Sequence, residues 1–117
     1  MSLLDNRLQT VPATICNLIN LTELYIQDNF LRRLPESLGR LQSLTHLNLA
    51  DNLLTSIPRS IGNLSLDALG LSNNLLRMLP DFVTNLRNLR GTEVITDGNP
   101  FYSVGPSQGS PKRRRLK

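Results

Sequence analysis

Leucine and isoleucine recur along this chain at fixed distances from an asparagine. Around Asn29 the apolar series is Leu21, Leu24, Ile26, Leu31, Leu34, Leu38 and Leu41, with Pro35 following Leu34. It restarts 23 residues later as Leu44, Leu47, Leu49, Leu54, Ile57, Ile61 and Leu64, around Asn52 and Pro58. After a one-residue deletion it runs again as Leu66, Leu69, Leu71, Leu76, Leu79, Val83 and Leu86, around Asn74 and Pro80. An earlier unit survives in part as Leu3, Asn6, Leu8, Val11, Pro12, Ile15 and Leu18. Three full units and a partial first one are therefore expected, and a repeat of this length marks a stacked architecture.

Each position has a physical reason. In LTELYIQDN, Leu24 and Ile26 alternate with Glu23, Tyr25 and Gln27, the period of a short strand with one buried face. One unit cannot bury that face alone, so the strands must stack in parallel, unit on unit, with the leucines forming a continuous spine. Asn6, Asn29, Asn52 and Asn74 follow the strands, where the turning backbone needs hydrogen-bond partners; they are expected to form a structural ladder. The Leu-Pro and Ile-Pro steps restrict regular helix on the outer side, predicting short helical or 3₁₀ turns there.

The spacing resembles the leucine-rich-repeat family, in the 23-residue form of Ras suppressor protein, Scribble and Erbin, over about residues 1 to 101. That resemblance implies an α/β fold: a right-handed solenoid with a short parallel concave sheet and irregular or 3₁₀ convex turns. It also implies an intracellular scaffold or signalling adaptor that binds proteins rather than an enzyme.

Towards the carboxyl end the pattern slips. Leu89 is expected to start a fifth unit with Val94 inside it, but Asn99 in Asp97-Gly98-Asn99-Pro100-Phe101 comes two residues late, which reads as a closing half-repeat. Residues 1–101 are taken as the solenoid. Residues 102–117, rich in small and turn-forming side chains and then in cations, are expected to be a disordered tail.

Charge sharpens the division. The net charge is +4, yet residues 1 to 100 hold eight arginines against nine acids, for −1, and Lys112, Arg113, Arg114, Arg115 and Lys117 supply the remaining +5. The body is nearly neutral, and without aromatic side chains among the tail cations a specific nucleic-acid site is not expected. The single cysteine, Cys16, cannot form an intramolecular disulfide, which suits an intracellular, cytoplasmic setting with the nucleus as alternative. No apolar run is long enough to span a bilayer.

Catalysis would have to use one histidine and one cysteine. His46 is predicted to point outward from a strand and Cys16 lies on the convex side, so neither a dyad nor a metal site is expected. The glycines form no phosphate loop and no cofactor is implied. The exposed strand positions remain: Glu23, Tyr25, Gln27 and Asp28, then His46, Asn48 and Asp51, then Asp67, Ser72 and Asn73. They vary from unit to unit while the leucines do not, as recognition of a protein partner requires. Tyr25, the one aromatic among them, is the expected anchor. Five strands about 4.8 Å apart would offer roughly 300 Å² of projected face, less than a standard interface needs, so flanking loops must contribute.

Two alternatives belong beside this. The open first unit exposes Leu3, Leu8 and Val11, as expected of a truncated fragment or of an end closed by self-association. Pro111-Lys112-Arg113-Arg114-Arg115-Leu116-Lys117 resembles a nuclear-localisation signal read by importin alpha, which would make the tail the functional element; Ser110-Pro111 is placed so that phosphorylation would weaken its field. Replacing Arg113, Arg114 and Arg115 by alanine is then expected to move a tagged chain out of the nucleus. An unchanged distribution under fluorescence microscopy would remove that alternative.

Overall fold

The structure, a computed structural model, describes residues 1–3 and 7–101. The alternating segments form four strands, β1 (Glu23–Tyr25), β2 (His46–Asn48), β3 (Ala68–Gly70) and β4 (Glu93–Ile95). They pair in parallel in the order β1-β2-β3-β4. The register places Leu24, Leu47, Leu69 and Val94 in one line, and all four are buried at 8% exposure or less. Each such leucine is covered by those of adjoining units, a burial that contributes about 1.5–3 kcal/mol apiece. This is the solenoid expected from the repeat. Among the described residues, the first unit contributes a parallel bridge between Ser2 and Tyr25 in place of a fifth strand.

The asparagines form the ladder. Asn52 is buried; its Nδ2 donates to the carbonyls of Ile26, Leu49 and Ala50, each at 3.1 Å, and its Oδ1 accepts from Leu31 N at 3.0 Å. Asn74 repeats the arrangement one unit on, with Leu49, Leu71 and Ser72 as acceptors and Leu54 N as donor. Asn29 does so one unit back, with Leu3, Ile26 and Gln27 as acceptors and Leu8 N as donor. Each amide thus joins its own turn to the preceding unit. Asn6 lies outside the described residues.

On the outer side the prolines start the turns. Pro12, Pro35 and Pro58 each precede a five-residue 3₁₀ segment, Ala13–Asn17, Glu36–Arg40 and Arg59–Asn63. Their carbonyls accept from the residue three positions on, Ile15, Leu38 and Ile61, at 3.1 Å, and those three side chains are buried. Proline suits these sites because its fixed φ is compatible with a helical start and no N–H is needed there. The deletion in the third unit is absorbed just after Arg59–Asn63: Leu18 and Leu41 end their turns at ψ near 67°, whereas Leu64 is extended at ψ 150°.

The carboxyl end of the solenoid departs from expectation in two ways. The outer segment of the third full unit is not 3₁₀ but a ten-residue α-helix, α1 (Asp81–Arg90). Pro80 O accepts from both Val83 and Thr84, so the first turn already carries the longer-range bond. The helix stops at Gly91, whose φ of 74° favours glycine. Leu89 does not open a repeat: it lies on α1 and is 77% exposed. The fourth strand is instead centred on Val94, and Asn99 stands five residues beyond it, as Asn29, Asn52 and Asn74 stand beyond Leu24, Leu47 and Leu69.

Asn99 is therefore in register. Its Nδ2 donates to the carbonyls of Leu71 and Thr96 at 2.9 Å, and its Oδ1 accepts from Leu76 N at 3.1 Å. The two extra residues before it are taken up by the helix. At the start of the unit, Thr92 is buried and donates its hydroxyl to Leu66 O at 2.7 Å. Arg87 on α1 meanwhile donates to Val94 O at 2.8 Å. Asn99→Ala is expected to destabilise the chain by about 1–3 kcal/mol, because Leu76 N loses its acceptor. Urea denaturation checks this: a value near zero would mean that the ladder ends functionally at Asn74.

Candidate functional site

Because strand side chains alternate, the same register that lines up the spine lines up the opposite face. The first outward row is Glu23, His46, Ala68 and Glu93, and the second is Tyr25, Asn48, Gly70 and Ile95. Backbone pairing continues past the named strands, through Ile26 N to Asn48 O, Leu49 N to Gly70 O and Leu71 N to Ile95 O. This carries Gln27, Ala50, Ser72 and Asp97 into a third row. Unlike the leucine line beneath, no two neighbouring units share a residue in these rows.

Several of these side chains are fixed by their neighbours. The Tyr25 hydroxyl donates to Glu23 Oε1 at 3.0 Å. His46 Nδ1 lies 3.9 Å from Glu23 Oε2 and 2.9 Å from Thr45 Oγ1. Asn48 Oδ1 accepts from Ala50 N at 3.0 Å, and its amide lies over Gly70, where an added Cβ would come within 2.8 Å of that oxygen. Gln27 Oε1 is buried and has no hydrogen-bond partner among the described residues.

Asp28, Asp51 and Asn73, expected to share in recognition, prove to have a backbone role as well. Each precedes a ladder asparagine and adopts a left-handed conformation, with φ of 61°, 56° and 55°; Gly98 takes the equivalent place at φ 80°. Asp, Asn and Gly tolerate that region better than other residues. The amides of Asp28, Asp51 and Asn73 also pair with Ala50 O, Ser72 O and Asp97 O. Asp28, Asp51, Asp67 and Asn73 are exposed, and Ser72 is half-buried. The structure brings the ten sequence-derived positions together on one face and its rim. The tail cations Lys112, Arg113, Arg114, Arg115 and Lys117 lie outside the described residues.

Sequence reasoning missed Glu93, Ile95 and Asp97, the β4 contribution, because the unit was anchored on Leu89. The five-residue offset from Val94 to Asn99 was the signal that could have found them. It also missed an apolar flank. Phe30 and Leu75, each directly after a ladder asparagine, are 49% and 44% exposed, with half-buried Leu53 between them in the repeat. Leu75 continues into a shallow groove with Ile57, Met78 and Arg77.

The chemistry of catalysis is not assembled on this face. Cys16 is buried on the outer side, in Ala13–Asn17, whereas His46 is on the sheet. Among the described residues no three His, Cys, Asp or Glu side chains are grouped to hold a metal ion. None of the described helices is long and apolar enough to cross a membrane.

A parallel sheet built one short strand per unit, closed by an asparagine ladder and backed by 3₁₀ turns, defines a repeat solenoid. Comparison with known proteins gives its family. Residues 19–76 match the family model for the leucine rich repeat. Among solved structures, the LRR protein LIC12759 of Leptospira interrogans superposes with a TM-score of 0.77 at 32% identity, covering 88% of this chain and 26% of that one. The chain thus spans about a quarter of that relative's length. No curated protein matches. This chain carries a leucine-rich-repeat domain.

The Glu23 hydrogen bond raises the pKa of Tyr25 above its ordinary 10.0, with desolvation and the nearby negative charge adding in the same direction. The raised folded value means that this contribution to stability is complete below the unfolded pKa and is lost as pH rises through the folded one. In a chain carrying Tyr102→Phe, where Tyr25 is the sole phenol, absorbance titration is expected to show Glu23→Gln lowering the Tyr25 pKa. An unmoved titration would remove the hydrogen bond as its cause.

Proposed function

We propose that the chain is a protein–protein interaction module, an adaptor of the intracellular 23-residue kind, which takes its partner on the outward face of the sheet. One observation carries the reading: inward strand positions hold leucine, isoleucine or valine in every unit except at Thr96, while the rows facing away hold tyrosine, histidine, asparagine, glycine, isoleucine and glutamate in no repeated order. A surface kept only for solubility has no need of a half-buried tyrosine and an exposed isoleucine in its middle row. A rigid scaffold that varies only where it is exposed can present a specific pattern at little conformational cost.

Tyr25 is the anchor in this reading. It adjoins Asn48 across the strands, and its ring and hydroxyl suit a contact that is apolar in the middle and polar at its edge. Four strands span only about 14 Å, so the sheet alone is smaller than the roughly 800 Å² that a stable interface occupies on each partner. The flank of Phe30, Leu53 and Leu75 supplies the extra apolar area. The buried free thiol of Cys16 suits a reducing compartment. Nuclear import through Lys112, Arg113, Arg114, Arg115 and Lys117 rests on the sequence of that segment alone.

Capture of binding proteins from a cell extract by the immobilised chain, with mass-spectrometric identification, tests the proposal. For a captured partner, Tyr25→Ala is expected to weaken binding by about 30-fold or more, as loss of an interface anchor does, and Asn48→Ala by less. Leu89→Ala on α1 is expected to leave it unchanged. Equal affinity of the Tyr25 variant would place the binding surface elsewhere.

A further inference from the structure

Among the described side chains the front of the sheet carries negative formal charge only, the one cation at its edge being the amino-terminal ammonium of Met1, which donates to Glu23 O at 2.8 Å. Glu23 and Glu93 stand at the two ends of the first row, Asp97 closes the third, Asp28 and Asp51 occupy the turns behind it, and Asp67 precedes β3. No lysine or arginine enters these rows. The arginines of the described residues lie after the ladder asparagines, on the outer turns and on α1. A nearly neutral body is therefore two-sided, acidic where the sheet faces outward and basic around the rest.

A second observation on the same face points to a donor. Gln27 holds its amide oxygen buried with no partner among the described residues, two positions along the strand from Tyr25. A face of carboxylates calls for a cation, and the Gln27 amide oxygen, enclosed as it stands, takes an N–H once its side chain turns outward. A guanidinium or ammonium side chain supplies both.

The chain carries such a segment. Described residues end at Phe101, two residues past Asn99 on the turn that follows β4. Lys112 follows eleven residues later, a distance the chain can span up to about 36–40 Å. The sheet is only about 14 Å across its four strands, so every acidic row lies within reach. We propose that residues 112–117 dock in cis on the acidic face of the sheet, along the row from Tyr25 to Ile95, and so occupy the surface a partner must use. This rests on the reading of that face as the binding surface.

The tether decides the choice of occupant. Exposed ion pairs are individually weak, so a free peptide of this composition would be held poorly. A segment joined through a short connection meets the face at an effective concentration of order millimolar, which makes weak pairing sufficient. Five cations confront six carboxylates across a surface with no competing lysine or arginine among the described residues. A partner would then have to displace the segment, and the affinity of the module for basic ligands would be set by that competition.

Nitrogen-15 spectra of the full chain and of a chain with Lys112, Arg113, Arg114, Arg115 and Lys117 changed to alanine test the proposal. The expected result is amide shift differences at Glu23, Tyr25, His46, Ile95 and Asp97 but not on the outer turns, persisting on dilution and vanishing in high salt. Changing Glu23→Gln, Glu93→Gln and Asp97→Asn together should abolish them. The synthetic peptide PKRRRLK should move the same amides in the alanine chain and bind the full chain about tenfold more weakly, because the tethered segment competes.

Spectra that coincide, or that differ only on α1 and the outer turns, would overturn docking on this face. Differences that fade on dilution would place the segment on a second copy and overturn docking in cis. If the peptide binds the sheet of the alanine chain while the native segment leaves the full chain's spectrum unmoved, intramolecular docking fails and the sheet remains a binding surface. Failure of that underlying reading shows separately, in partner capture by the Tyr25 variant of the alanine chain, where the segment has no cations with which to compete.

Discussion

Everything in this fold depends on the carboxamide of an asparagine at the end of each strand. A three-residue parallel strand is too short to satisfy its own backbone where it turns, and the turn is pressed between neighbouring units where water cannot serve. One side chain with donors and an acceptor solves the problem for two units at once: Asn52 donates to Ile26, Leu49 and Ala50 and accepts from Leu31. Aspartate would lose the donors and serine the reach. The residue before it must then be left-handed, which explains Asp28, Asp51, Asn73 and Gly98. The strand register follows, and the register decides which side chains share the front.

The parts legible in the sequence were those where physics permits few residue types. Inward positions must be apolar and of one size, so Leu24, Leu47 and Leu69 announced the spine; Pro35 and Pro58 announced the 3₁₀ turns because few residues combine a fixed φ with no donor. The closing unit, around β4, was not legible by the same route. Val94 and Thr96 stand where other units have leucine or isoleucine, Gly91 replaces the opening leucine, and α1 displaces the asparagine by two. The pairing of β4 with β3 and the hydrogen bonds of Asn99 to Leu71, Thr96 and Leu76 fix the register.

The candidate face was legible in outline, since alternation alone separates front from core. Its limits were not. The β4 residues Glu93, Ile95 and Asp97 joined it only with the correct register, and the repeat separates buried Leu54 from its neighbour Leu53 without showing that the apolar residues beside it, Phe30, Leu53 and Leu75, form an exposed flank. The separation of acids from arginines was hidden by a formal charge that sums almost to nothing over the body. A sum over sequence cannot carry a direction, and here the direction is the informative part.

That direction has a kinetic consequence. Opposite signs on opposite sides give the domain a dipole moment, and a charged body approaching within a Debye length, about 8–10 Å in ordinary buffers, turns it before the surfaces touch. Orientation is a large part of what slows the encounter of two proteins, so such a field raises the rate of productive collision without lengthening the life of the complex. A face too small to hold a partner by area alone is thereby well suited to finding one quickly and letting it go.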